Sequence, residues 1–128
     1  WLDGGHNPGA GEVIASAMAD LEERVARPLV LIAGMLTTKD PEGYFAAFGG
    51  LARRVYAVPI EGSDAARDPQ SLAEAARATG LVAVAASGVG AALDHLKATW
   101  SGVAPRILIC GSLYLAGNVL AENGTPPV

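Results

Sequence analysis

The sequence predicts an α/β fold: a Rossmann-like, mostly parallel sheet with helices on both faces, three layers in a single domain. Three observations carry this. Apolar runs of strand length, such as residues 29–33 and 107–110, are continuous rather than alternating, as strands covered on both faces require. Between such runs lie longer segments in which apolar residues recur at helical spacing. Three of these segments open on a related pair, Asn7-Pro8, Asp40-Pro41 and Asp68-Pro69, in which a capping side chain precedes a proline suited to the first helical position. Short strands alternating with helices read as a parallel, doubly wound sheet.

Each element has its own local reason. Leu2 begins a short apolar stub that ends at Asp3-Gly4-Gly5-His6-Asn7-Pro8. The helix opened by Pro8 is expected to reach about Arg27, with Ile14, Met18, Leu21 and Val25 on one face, and Pro28 stops it. Residues 29–33 form the next strand, closed by Gly34, and a loop carrying Thr37, Thr38, Lys39 and Asp40 leads to a helix with Tyr44, Phe45 and Phe48 inward. Gly49-Gly50 weaken the end of that helix, and residues 54–59 form a third strand. After the loop Glu61-Gly62-Ser63-Asp64, Pro69 opens a helix to about Thr79, which Gly80 terminates. Residues 81–85 form strand four. Ser87-Gly88 leads into a helix that buries Val89, Leu93, Leu96 and Trp100, and Pro105 precedes strand five at 107–110. Gly111-Ser112 opens a last helix over about 113–122, and residues 123–128 are a terminal tail.

Composition removes several function classes. The 128 residues suit one domain with its own core. They are 51% hydrophobic and 17% charged, which excludes a disordered, solvating segment. A net charge of −4 with no basic stripe excludes a surface for nucleic acid or anionic membrane. No apolar run approaches about 18 residues, so no membrane span is expected. The single cysteine, Cys110, excludes a disulfide framework and a cysteine-based zinc site; it suits a reducing cytoplasm and reads as an inert buried thiol. The opening Trp1-Leu2-Asp3, without an initiator methionine, reads as the end of a strand cut from a larger protein.

In a doubly wound sheet, ligands sit beyond the carboxyl ends of the strands. That edge gathers residues 3–8, 34–40, 60–64, 86–90 and 110–112, where glycines and polar residues concentrate. Generic nucleotide motifs are missing: there is no G-x-x-x-x-G-K-[ST] loop, no G-x-S-x-G elbow and no H-E-x-x-H pair. Gly88-Val89-Gly90 offers two glycines of a dinucleotide fingerprint, but Leu93 occupies the third position, so close helix–strand packing explains it better. Asp3 and His6 bring a carboxylate and an imidazole to one strand end beside a helix start. The carboxylate can hold ribose hydroxyls and the imidazole can donate to a phosphate or carboxylate; the structural alternative is a turn-stabilising aspartate beside a solvated histidine. Asp40 reads as a cap beside an exposed Lys39. Ser112 reads as a cap that could also meet an anion. His95 reads as a surface residue, and Lys97, Arg53 and Arg54 read as solvated charges.

Together, Asp3-Gly-Gly-His6-Asn7-Pro8, Gly34-Met-Leu-Thr-Thr-Lys39-Asp40 and Cys110-Gly-Ser112-Leu-Tyr-Leu-Ala-Gly117 resemble one family over essentially the whole chain. This is the C-terminal domain of bacterial folylpolyglutamate synthase/dihydrofolate synthase, in the Mur ligase superfamily. The resemblance implies an ATP-dependent ligase that joins L-glutamate to dihydropteroate or a (poly)glutamylated folate through an acyl phosphate. Mg²⁺ would neutralise the phosphates from a separate N-terminal ATPase domain that also carries the P-loop. By motif, Asp3 would contact ATP at the ribose and His6 would lie near the phosphates or the glutamate, as the catalytic and nucleotide-binding residue. Ser112 would bind the glutamate carboxylate, and Lys39 would contact glutamate or phosphate. No metal ligand is assigned to this chain. Thr38 stands where the family's loop has its first acid, and Gly5 where alanine is frequent. The family sheet has six strands, one antiparallel, against the five read here. A peptidoglycan-type Mur ligase and a non-catalytic nucleotide-binding domain are the alternatives.

Overall fold

The structure is a computed structural model that describes residues 8–24, 27–36, 40–60 and 67–110. Its elements run α1 (Pro8–Arg24), β1 (Leu29–Ala33), α2 (Pro41–Ala46), β2 (Ala52–Ala57), α3 (Pro69–Ala78), β3 (Ala83–Ala85), α4 (Val89–Thr99) and β4 (Arg106–Cys110). The four described strands form one parallel sheet in the order β3-β2-β1-β4. This is the α/β, layered architecture that the alternation of strands and helices predicts.

Helix starts follow the Asp-Pro pairs. An Asp40 carboxylate oxygen accepts the Gly43 N–H at 3.1 Å, and Asp68 accepts that of Ser71 at 3.1 Å. Each cap satisfies an N–H that the helix itself leaves unpaired, a contribution of about 1 kcal/mol. Helix α3 ends where Gly80 takes φ of 92°, a left-handed conformation that costs a side-chain-bearing residue more.

Burial in the strands alternates between two cores. Leu29, Leu31 and Ala33 of β1, Val55 and Ala57 of β2 and Leu108 and Cys110 of β4 face α1, α2 and α3. Val30, Ile32, Tyr56 and Val58 face α4, which contributes Val89, Ala92 and Leu96. The continuous apolar run in β1 is thus explained: both of its faces are covered, and all five residues are buried. From β1 the chain steps to β2 and β3 with α2 and α3 on one face. It then returns under α4 on the other face to place β4 on the far side of β1. The switch in direction lies between β1 and β4.

Several boundaries differ from the sequence reading. Helix α1 is described to Arg24, and Arg27 is already outside it. Strand β2 begins at Ala52 and stops at Ala57, before Pro59. Strand β3 is only Ala83–Ala85, because its register with β2 covers just those three residues. On α4, Ala92 takes the buried place expected for Leu93, and Leu93 and Trp100 are only half-buried. The expected first strand at Leu2 and the last helix over 113–122 lie outside the described residues.

In the described sheet β3 is an edge. Val82 O accepts from Val55 N, so the carbonyl of Ala83, one residue on, faces the open side. The Arg77 guanidinium donates to that carbonyl through Nε at 2.9 Å. A charged side chain thereby occupies a position that a foreign strand would use.

Candidate functional site

The carboxyl edge of the sheet is tied together by backbone bonds that continue past the strands. Gly34 N donates to Cys110 O at 3.2 Å across the β1–β4 switch, Val58 N to Ala33 O at 2.9 Å, and Ala86 N to Ala57 O at 2.8 Å. These bonds fix where the four loops leave the sheet. The loop into α3 is anchored too: Arg67 N donates to Met35 O at 2.7 Å.

A hollow of about 550 Å³ opens on this edge between the starts of α2 and α3, lined by Asp40, Pro41, Glu42, Arg67, Ser71 and Glu74. Cations are rare here. Arg106 begins β4, Arg53 and Arg54 lie in the first half of β2, and Arg24, Arg77 and Lys97 lie in the last turns of α1, α3 and α4. All of these belong to the opposite edge, because in βα units the helices run back against the strands. Among the described residues, Arg67 alone brings a positive charge to the carboxyl edge.

Of the residues assigned from sequence, Asp3, His6, Lys39 and Ser112 all lie outside the described residues. Their nearest described neighbours are placed as expected: Pro8 opens α1, Asp40 caps α2, and buried Cys110 ends β4. The reading of Gly88-Val89-Gly90 changes. Gly88 is the N-cap of α4, but a Cβ added at Gly88 or at Gly90 would meet nothing within 4 Å among the described residues. Close helix–strand packing therefore does not account for these two glycines. Among the described residues, no group of three or more His, Cys, Asp or Glu is placed to hold a metal ion.

Sequence reasoning missed a polar cluster on the α4 side of the sheet. Arg54, taken for a solvated charge, donates through Nη1 to Tyr56 Oη and to Thr99 Oγ1, each at 2.8 Å. Its guanidinium lies 5.3 Å from the Trp100 ring centre and 5.8 Å from that of Tyr56, within cation–π range. His95, exposed as the sequence predicts, meets Tyr56 Oη at 2.7 Å through Nδ1, with the two rings edge to face. The signal was present in the sequence: Arg54 and Tyr56 share a strand face at period two, and His95 and Thr99 share a helix face at i, i+4. Tyr56→Phe removes the hub of this cluster while keeping the ring. Its expected cost is about 1–2 kcal/mol, read as a lower denaturant midpoint.

No family model matches the chain, and no curated protein matches it. Solved structures do. A Mycobacterium tuberculosis folylpolyglutamate synthase complexed with ADP and AMPPCP superposes with a TM-score of 0.81 over 98% of this chain, at 26% identity. The chain has the folylpolyglutamate synthase fold. A bifunctional folylpolyglutamate synthase/dihydrofolate synthase with Mn, AMPPNP and L-glutamate bound gives a TM-score of 0.75 over 96% of the chain at 26% identity. E. coli FolC in complex with DHPP and ADP gives 0.78 over 94% at 24% identity, a likeness of fold alone. The chain spans 29%, 29% and 27% of these three proteins.

Proposed function

We infer that this chain is the C-terminal domain, residues 1–122 with a tail at 123–128, of an ATP-dependent ligase. The enzyme would join L-glutamate to dihydropteroate or a (poly)glutamylated folate in the cytoplasm. The observation that carries this is the match of nearly the whole chain to one part of folylpolyglutamate synthases, at 26% identity, together with the three signature segments. The substrate carboxylate attacks the γ-phosphorus of ATP, giving an acyl phosphate and ADP. The glutamate amine then attacks the acyl carbon, the C–O bond to phosphate breaks, and the ammonium proton is lost as the amide forms. Asp3 holds the ribose, His6 lies by the phosphates or the glutamate, and Ser112 and Lys39 hold glutamate or phosphate. The P-loop and most of the Mg²⁺ ligands belong to the N-terminal ATPase domain.

The test is turnover of the full-length parent with ATP, L-glutamate and either dihydropteroate or a reduced folate, against a UDP-linked muramoyl acceptor. Glutamylated pterin product supports the reading; turnover only with the muramoyl substrate overturns it. The 128-residue chain alone is expected to give no turnover, and ligase activity from it would overturn the division of labour between the domains.

A further inference from the structure

Helices α1 and α2 begin directly after two of the signature segments: α1 follows Asp3-Gly-Gly-His6-Asn7, and α2 follows the loop that carries Lys39. At one point the two packed helices meet with no room to spare. A Cβ built on Gly11 would lie 2.9 Å from the backbone oxygen of Tyr44, 3.2 Å from its ring Cδ2 and 3.3 Å from its Cα. Real Cβ atoms do not come that close to a backbone oxygen, and a backbone group inside a helix cannot swing aside as a side-chain tip can. Tyr44 is itself fully buried, with its ring against those of Phe45 and Phe48 of the same segment at 5.8 and 5.5 Å. At its start, α2 is held by the Asp40 cap on Gly43 and by the bond from Tyr44 N to Asp40 O.

We propose that the Gly11–Tyr44 contact is the joint that sets the spacing between the starts of α1 and α2, which makes Gly11 a positioning residue of the ligase site. The proposal rests on the ligase reading. Gly11 lies three residues into α1 and five after His6; Tyr44 lies four after Asp40 and five after Lys39. Widening the helix contact displaces the start of one helix relative to the other. Misplacement of reacting groups by about 1 Å can cost about a hundredfold in rate.

The experiment uses the full-length enzyme with Gly11→Ala, and Leu96→Ala as a control that opens the second core on α4 instead. Two readouts are taken at a temperature where both variants are folded. Hydrogen exchange of the Gly43 and Tyr44 amides is expected to be at least about tenfold faster in Gly11→Ala and unchanged in Leu96→Ala. The kcat is expected to fall about ten- to a hundredfold in Gly11→Ala only. If Gly11→Ala does not fold, Ala15→Ser, one turn along the same buried face, applies a milder push with the same readouts. Unchanged exchange at Gly43 and Tyr44 overturns the joint. Faster exchange with wild-type kcat, or an equal loss in Leu96→Ala, overturns the positioning role. A wild-type enzyme without ligase turnover overturns the ligase reading instead, and exchange alone then decides the joint.

Discussion

Leu31→Ala is expected to destabilise the domain by about 2–5 kcal/mol. Leu31 sits mid-strand in β1, between Val55 of β2 and Leu108 of β4 in register, and it has no exposed surface. Its neighbours in the first core come from α1, α2 and α3 as well as both flanking strands, so the vacated volume has no single mobile side that could collapse into it. A domain of ordinary stability holds only about 5–15 kcal/mol in total, so this one change removes a large part of it. Chemical denaturation should show a lower midpoint with an unchanged slope. Val13→Ala, on an α1 position 71% exposed, should stay within about 0.5 kcal/mol of wild type. A loss below about 1 kcal/mol at Leu31 would mean that β1 is not the covered central strand.

The strength of this expectation reflects how plainly β1 can be read. An uninterrupted Leu-Val-Leu-Ile-Ala run, stopped by Pro28 and Gly34, has one interpretation at strand length, and its bounds match to the residue. Helix starts were equally plain, because Asp40-Pro41 and Asp68-Pro69 state both a cap and a fixed first φ. What the pattern hides is pairing. Ala52 and Arg53 look like a loop until Leu29 and Val30 are laid beside the start of β2, whereas Leu81 and Val82 look like strand although the ladder with β2 starts only at Ala83. Arg54 was misread for the same reason: a guanidinium in a strand counts as solvated unless the Tyr56 and Trp100 rings are known to lie beside it. The chemistry-bearing residues behave differently from the core. The proposed site residues Asp3, His6, Lys39 and Ser112 rest on local signatures rather than periodicity, and they lie outside the described residues.

His6→Ala in the full-length ligase is expected to lower kcat by about a hundred- to a thousandfold, the usual consequence of removing one donor aimed at charge that develops in a transition state. Both steps of the proposed reaction develop such charge, first on the transferring phosphoryl oxygens and then on the oxygen of the tetrahedral intermediate. The fold should be indifferent to the change, because α1 is held through Gly11, Ala15 and Met18 further along its buried face. The melting temperature should therefore stay at the wild-type value while turnover falls. Asp3→Ala separates nucleotide binding from chemistry: it should raise the ATP KM and leave kcat much less affected, since a ribose contact is made equally in the ground and transition states. A rise in glutamate KM alone for His6→Ala would place the imidazole on the incoming amino acid. A fall in kcat at saturating glutamate would place it on the phosphates. Wild-type kinetics in His6→Ala would remove it from the site altogether.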